Sequence, residues 1–220
     1  MNVKCITLLL AFTFTSHAKP AETPLHVAAK TNHLIALQTH LNNGIPVNAI
    51  GQYGKTALHD AAQKGHLGRL VILLRNGALV DARDNDNNTP LHYAADKGGI
   101  ACIKTLIKKG ADINATDNIL WTPLHYAVLH GNAASAQLLI QKGALVAAND
   151  NHARTPLHVA AANGRLACIQ LLLKNKADIF AQTTNGNTAT NLATDAQNDD
   201  IATYLSTIMS AMQKNAANKL

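Results

Sequence analysis

The sequence predicts an all-α solenoid of six helix–turn–helix repeats, and three observations carry that prediction. A seven-residue pattern that begins with threonine returns at a constant step of 33 residues. Each copy opens an apolar stripe at helical spacing, and a second apolar helix follows it. Asp- and Asn-rich turns separate one unit from the next. The composition agrees: 220 residues, 47% hydrophobic, 15% charged and 4% aromatic suit a folded chain with a core of Leu, Ile, Val and Ala. The length permits one or two domains and a core that needs no staples.

The pattern runs Thr23-Pro24-Leu25-His26-Val27-Ala28-Ala29, Thr56-Ala57-Leu58-His59-Asp60-Ala61-Ala62, Thr89-Pro90-Leu91-His92-Tyr93-Ala94-Ala95, Thr122-Pro123-Leu124-His125-Tyr126-Ala127-Val128 and Thr155-Pro156-Leu157-His158-Val159-Ala160-Ala161. A degraded sixth copy begins at Thr188. Threonine before proline starts a helix: its hydroxyl can cap, and proline suits the first helical position because its missing N–H would be unpaired there. Leu25, Ala28 and Ala29 then share one face, and alanine lets neighbouring helices approach closely. The second helix, as in Leu67–Arg75, stops at Gly77, which tolerates a left-handed C-cap. The segment Asp81 to Asn88 reads as a turn.

These residues resemble the ankyrin repeat, whose signature is Thr-Pro-Leu-His-x-Ala at a period of 33. The resemblance covers residues 21–212 and extends to Gly65-His66, Leu171-Leu172-Leu173 and Gly110-Ala111-Asp112-Ile113-Asn114. It implies short hairpin or turn fingers between units and little strand content. The units fall near 21–52, 53–85, 86–118, 119–151, 152–184 and 185–213, within a domain spanning 19–213. End units must differ from inner ones because each buries its faces only on its neighbours. In the sixth, Thr190 and Asn191 replace Leu and His, while Ile201, Tyr204, Leu205, Ile208 and Met212 keep helical spacing. Residues 214–220 are expected to be a frayed tail.

The first 18 residues read differently. Lys4 precedes the apolar run Cys5 to Phe14, and Ser16-His17-Ala18 sets small residues at the cleavage positions, the layout of a secretory leader. The alternative, an apolar helix capping the domain, fits the length, flank and cleavage site less well. A run of about ten residues is half of what crosses a bilayer. Cleavage after Ala18 removes Lys4 and no acid, leaving 18 basic against 13 acidic residues, a net charge of +5.

The sequence holds no catalytic or metal-binding constellation. Five of the eleven histidines (His26, His59, His92, His125, His158) share one slot with the threonines Thr23, Thr56, Thr89, Thr122 and Thr155, one per layer, too far apart to share an ion. In the family that slot has a structural role. Asp84-Asn85-Asp86-Asn87-Asn88 lacks the later glycine and glutamate of a calcium loop. Cys102 and Cys168 stand two repeats apart, about 20 Å at the usual spacing of packed helices, beyond disulfide reach. No nucleophile elbow, phosphate loop or zinc-protease motif occurs. No cofactor, metal or enzyme activity is therefore expected.

Arg75, Lys108, Lys109, Lys142, Lys174 and Lys176 sit at or just beyond the ends of second helices, where cations complement the helix dipole. Lys55, Arg83, Lys97 and Arg154 remain on the expected concave side with Asp60, Asp86 and Asp96, a solvated mixed face and no nucleic-acid track. The resemblance puts partner contacts on residues just before each Thr-Pro and near the end of each first helix. Candidates are Tyr53, Lys55, Arg83, Tyr93, Lys97, Ile119, Trp121, Tyr126, Leu129, His130, His152 and Arg154. The other reading has Tyr93 and Tyr126 filling the groove between first helices, with Trp121 over them. Leu120 stands where glycine or asparagine is usual, so the fourth finger is expected to be reshaped. The implied function is binding of another protein by an exported, monomeric bacterial chain, as a periplasmic scaffold or protector or a secreted effector, with inhibition of an enzyme as an alternative. The Asn- and Lys-rich composition and the leader suggest the bacterial source.

Overall fold

The computed structural model describes residues 22–31 and 33–217; the leader at 1–18 lies outside them. Twelve α-helices follow in order: α1 Pro24–Lys30, α2 Leu34–Asn42, α3 Ala57–Gln63, α4 Leu67–Arg75, α5 Pro90–Lys97, α6 Ile100–Lys108, α7 Pro123–Leu129, α8 Ala133–Gln141, α9 Pro156–Ala162, α10 Leu166–Lys174, α11 Ala189–Asp195 and α12 Asp199–Ala217. A 3-10 turn occupies Gln52–Gly54, and no strand occurs among the described residues. Helices of seven to nine residues are too short to persist alone. Packing holds them. The odd-numbered helices α1 to α11 pack in one row, α2 to α10 in a second, and each unit joins its two helices.

Leu25, Leu58, Leu91, Leu124 and Leu157 are all at most 1% exposed. The alanines beside them (Ala28, Ala61, Ala94, Ala127, Ala160) are buried too, which brings first-row helices close. The second row carries larger groups, Leu70, Leu73, Ile103, Leu106, Leu139, Ile169 and Leu172. Against that bulk, the first row is the row of small residues. The fingers project beside that row.

Cys102 and Cys168 are buried and free, and burial raises both thiols, Cys102 to about 11. Asn191 is exposed and Thr190 half-buried on the terminal unit. Ile201 and Leu205 pack inward, but Met212 is 49% exposed. The tail departs from expectation: α12 continues past Gln213 to Ala217, with only 218–220 outside the described residues.

Candidate partner-binding face

Each finger closes in the same way. The amide at its first position donates to the carbonyl four residues on: Gly51 to Lys55 (2.8 Å), Asp84 to Asn88 (3.1 Å), Asp117 to Trp121 (3.0 Å), Asp150 to Arg154 (3.0 Å) and Thr183 to Asn187 (2.9 Å). Neighbouring fingers are then joined by one main-chain bond each, Asn85 N–H to the Tyr53 carbonyl, Asn118 to Asp86, Asn151 to Ile119 and Thr184 to His152. The fourth finger is not reshaped. Leu120 adopts φ +64°, beside +62° at Asn87 and +74° at Gly54, so the ladder's geometry prevails over the side chain's preference.

The threonine–histidine slot anchors the fingers from behind. His92 Nδ1 accepts the Thr89 backbone N–H at 3.0 Å, which makes Nε2 the protonated nitrogen, and Nε2–H donates to the Trp121 carbonyl at 3.1 Å. His59 joins Asn88 (3.1 Å), His125 joins Arg154 (3.3 Å) and His158 joins Asn187 (3.2 Å) by the same bond, while His26 Nε2 lies 2.9 Å from the Lys55 carbonyl. Burial favours the neutral imidazole in units two to five, lowering His59 and His125 to about 4 and lowering His92 and His158. The threonine hydroxyls of units two to five meet the same Nδ1. The backbones of Lys55, Trp121 and Arg154 are thus held in place, and all three residues are half-buried.

A second device was missed in the sequence. The finger aspartates Asp84, Asp117 and Asp150 recur at the 33-residue step, and each Oδ1 accepts two finger amides at 2.8–3.0 Å. Their Oδ2 atoms take a side chain. Tyr93 donates to Asp84 (2.6 Å) and Tyr126 to Asp117 (2.8 Å), which with burial raises both phenols. The fifth unit has Val159 in the tyrosine's place, so Asp150 Oδ2 takes the Trp121 indole N–H (3.0 Å) and Arg154 Nε (2.7 Å). Burial would raise Asp150, but these donors and the Arg154 and His152 amides hold it below the usual range. The signal was an Asp followed nine residues on by Tyr, in two successive units.

The aromatic cluster converges. Trp121 stacks on His125 at 5.8 Å and meets Tyr126 edge-on at 5.5 Å, with the Arg154 guanidinium 5.8 Å over its ring. Lys55 Nζ lies 4.1 Å over the Tyr93 ring, and burial lowers its pKa. Both tyrosines and Trp121 are half-buried, so they fill the groove between helices as well as line it. His130 pairs with Asp96 at 2.7 Å, and Lys97 reaches the same carboxylate at 3.2 Å. Half-buried Leu129 gives its carbonyl to Arg165. Tyr53, Ile119 and His152 are exposed along the fingertips. Arg83 Nη1 bridges the third and fourth fingers through the Asn87 and Thr116 carbonyls.

Asp60 corrects the solvated-face expectation. It occupies the tyrosine slot of α3, its side chain is 1% exposed, and its partner is Lys30 at 3.6 Å. Burial raises its pKa. Among the described residues no cluster of His, Cys, Asp and Glu could hold a metal ion, and no helix is long and apolar enough to cross a membrane.

A family model for ankyrin repeats (3 copies) matches residues 1–84, 38–117, 66–150, 116–183 and 144–218. The chain belongs to the ankyrin-repeat family. A search of curated proteins gives no match. Ankyrin repeats are protein–protein interaction modules, generally non-catalytic.

Proposed function

We propose that the protein is exported, acts as a monomer and binds one protein partner through the finger face, without catalysis. One observation carries the location. Positions held by the same bonds carry varied side chains: Lys55, Trp121 and Arg154, with asparagine at 88 and 187, before the threonine, and Tyr53, Asp86, Ile119 and His152 at the tips. A constant frame with varied side chains is the layout of a recognition surface. The only Trp sits at its middle, where binding energy concentrates.

Export is supported by the charged, apolar and small-residue segments of residues 1–18. Two bacterial settings accord with that leader, a periplasmic scaffold or protector and an effector delivered outside the cell. Fractionation of a tagged chain separates them, and intact mass of the exported form should begin at Lys19. A product that retains Met1 would overturn the secretory reading.

The binding test uses the partner identified by proximity labelling. Trp121→Ala should fold and weaken that partner at least about tenfold, equal to 1.4 kcal/mol. Lys108→Ala, on the exposed end of α6, should leave affinity unchanged. Undiminished affinity of the Trp121 variant moves the interface elsewhere, and gross unfolding assigns Trp121 to packing.

A further inference from the structure

The residue at the bend of each finger stands at 54, 87, 120, 153 and 186, and all five have left-handed backbone, φ +74°, +62°, +64°, +56° and +78°. Glycine takes this conformation freely and asparagine tolerates it. Leucine does not, and Leu120 is strained by its place in the ladder. Packing does not offset that strain, because Leu120 is 46% exposed and its neighbour Ile119 is 42% exposed. Neither belongs to the core nor packs against it. Leu120 thus holds an exposed aliphatic side chain in a costly conformation at mid-array, beside exposed Ile119, with neither side chain packed on the core.

The charge around the pair indicates what meets it. Asp84, Asp117 and Asp150 are only 6%, 7% and 4% exposed, with their oxygens turned onto finger donors. Asp86 is the one carboxylate that the fingers 51–55, 84–88, 117–121 and 150–154 expose. Cations stand on both sides of the fourth finger. Arg83 is tied to the Thr116 carbonyl at its base (2.7 Å), and Arg154 lies over the Trp121 ring at its other side. Three of the four finger carboxylates are buried, whereas Arg83 is exposed and Arg154, paired through Nε with Asp150 at 2.7 Å, keeps a side chain 36% exposed.

We propose that Ile119 and Leu120 anchor an extended acidic segment of the partner protein. One apolar side chain of that segment covers Leu120, and carboxylates before and after it meet Arg83 and Arg154. This rests on the finger face being the binding face, and it adds the anchor and the chemistry of what is bound.

The test begins with a phage-displayed library of random dodecapeptides, selected on the purified protein expressed with its own leader. The enriched sequences should carry acidic residues on both sides of an aliphatic or aromatic one. A synthetic consensus peptide is then titrated against wild type, Leu120→Asn and Trp121→Ala. Leu120→Asn copies the Asn87 finger, so it should melt at or above the wild-type temperature while binding the peptide at least tenfold more weakly. Raising salt from 50 to 500 mM should weaken the wild-type complex severalfold. No enrichment, enrichment without acidic bias, or equal binding by the Leu120 variant overturns the proposal. So does a lower melting temperature for that variant, which would give Leu120 a role in the fold. If Trp121→Ala loses the peptide and Leu120→Asn keeps it, this anchor falls and the face stands. If neither variant affects binding, both fall.

Discussion

His92 Nε2 donates to the main-chain carbonyl of Trp121, 29 residues ahead, at 3.1 Å. One imidazole therefore caps its own helix and fixes the next finger. The sixth unit separates these two jobs: Asn191 accepts the Thr188 N–H at 2.9 Å in the histidine's place, on an exposed terminal face. His92→Asn should keep the cap and lose the bond to Trp121. The Trp121 carbonyl keeps the Asp117 N–H (3.0 Å) and loses only its second donor, and a lost intramolecular hydrogen bond costs about 0.5–1.5 kcal/mol. Equilibrium urea unfolding measures the loss, and an unchanged midpoint would show that the inter-unit bond contributes nothing.

Acid should weaken the array well above the usual carboxylate range. His59 and His125 are pushed down to about 4, and His92 and His158 are lowered too. An unfolded histidine takes a proton near pH 6.5. Below that value the unfolded state binds protons that the folded state refuses, so stability present above pH 6.5 is lost as pH falls toward about 4. For His59 or His125 the full loss is about 3 kcal/mol. Asp60, raised by burial, runs in the opposite sense, and the histidines outnumber it. Urea midpoints at pH 7.5 and pH 5 should differ clearly, and a flat profile would refute the neutral-ladder account.

Leu91 is fully buried between first-row helices. Leu91→Ala should cost about 2–5 kcal/mol, the range for a leucine whose site cannot collapse around the lost atoms. Thermal or urea unfolding reads the change directly. A loss below about 0.5 kcal/mol would mean that the stripe is surface, since that is the scale of substitutions outside the core.

Cys102 and Cys168 should behave as two free thiols that reagents reach slowly. Both are buried, and a thiol raised to about 11, as at Cys102, holds little thiolate at neutral pH. Freshly purified protein without its leader should titrate two thiols in denaturant and react far more slowly when folded. Finding none in denaturant would contradict two cysteines held in separate layers.

The six units were legible because the sequence repeats its own structural residues. Thr23 through Thr188 keep one step, and apolar positions share the helical period. The outcome at Asp60 was hidden because burial of an acid depends on its neighbours: α1 and α5 close over the slot, and Lys30 approaches from the previous unit. The finger aspartates looked like turn formers, and they are, but their second oxygens bind side chains nine residues on or in an adjacent finger. Trp121 illustrates the same difficulty. Its place before Thr122 suggested exposure, whereas the free oxygen of Asp150, left by Val159, draws its indole halfway into the groove.

The joint between layers makes the array editable. Residues 89–121 begin at one threonine and end just before the next, so excising them places Thr122 directly after Asn88. His59 already donates to the Asn88 carbonyl, and His125 to that of Arg154. The shortened chain would meet a seam identical in kind to the ones on either side, with no contact to invent. Gain or loss of a whole layer is thus a small step for this protein, one that moves a recognition surface by a single increment and leaves the scaffold's rules intact.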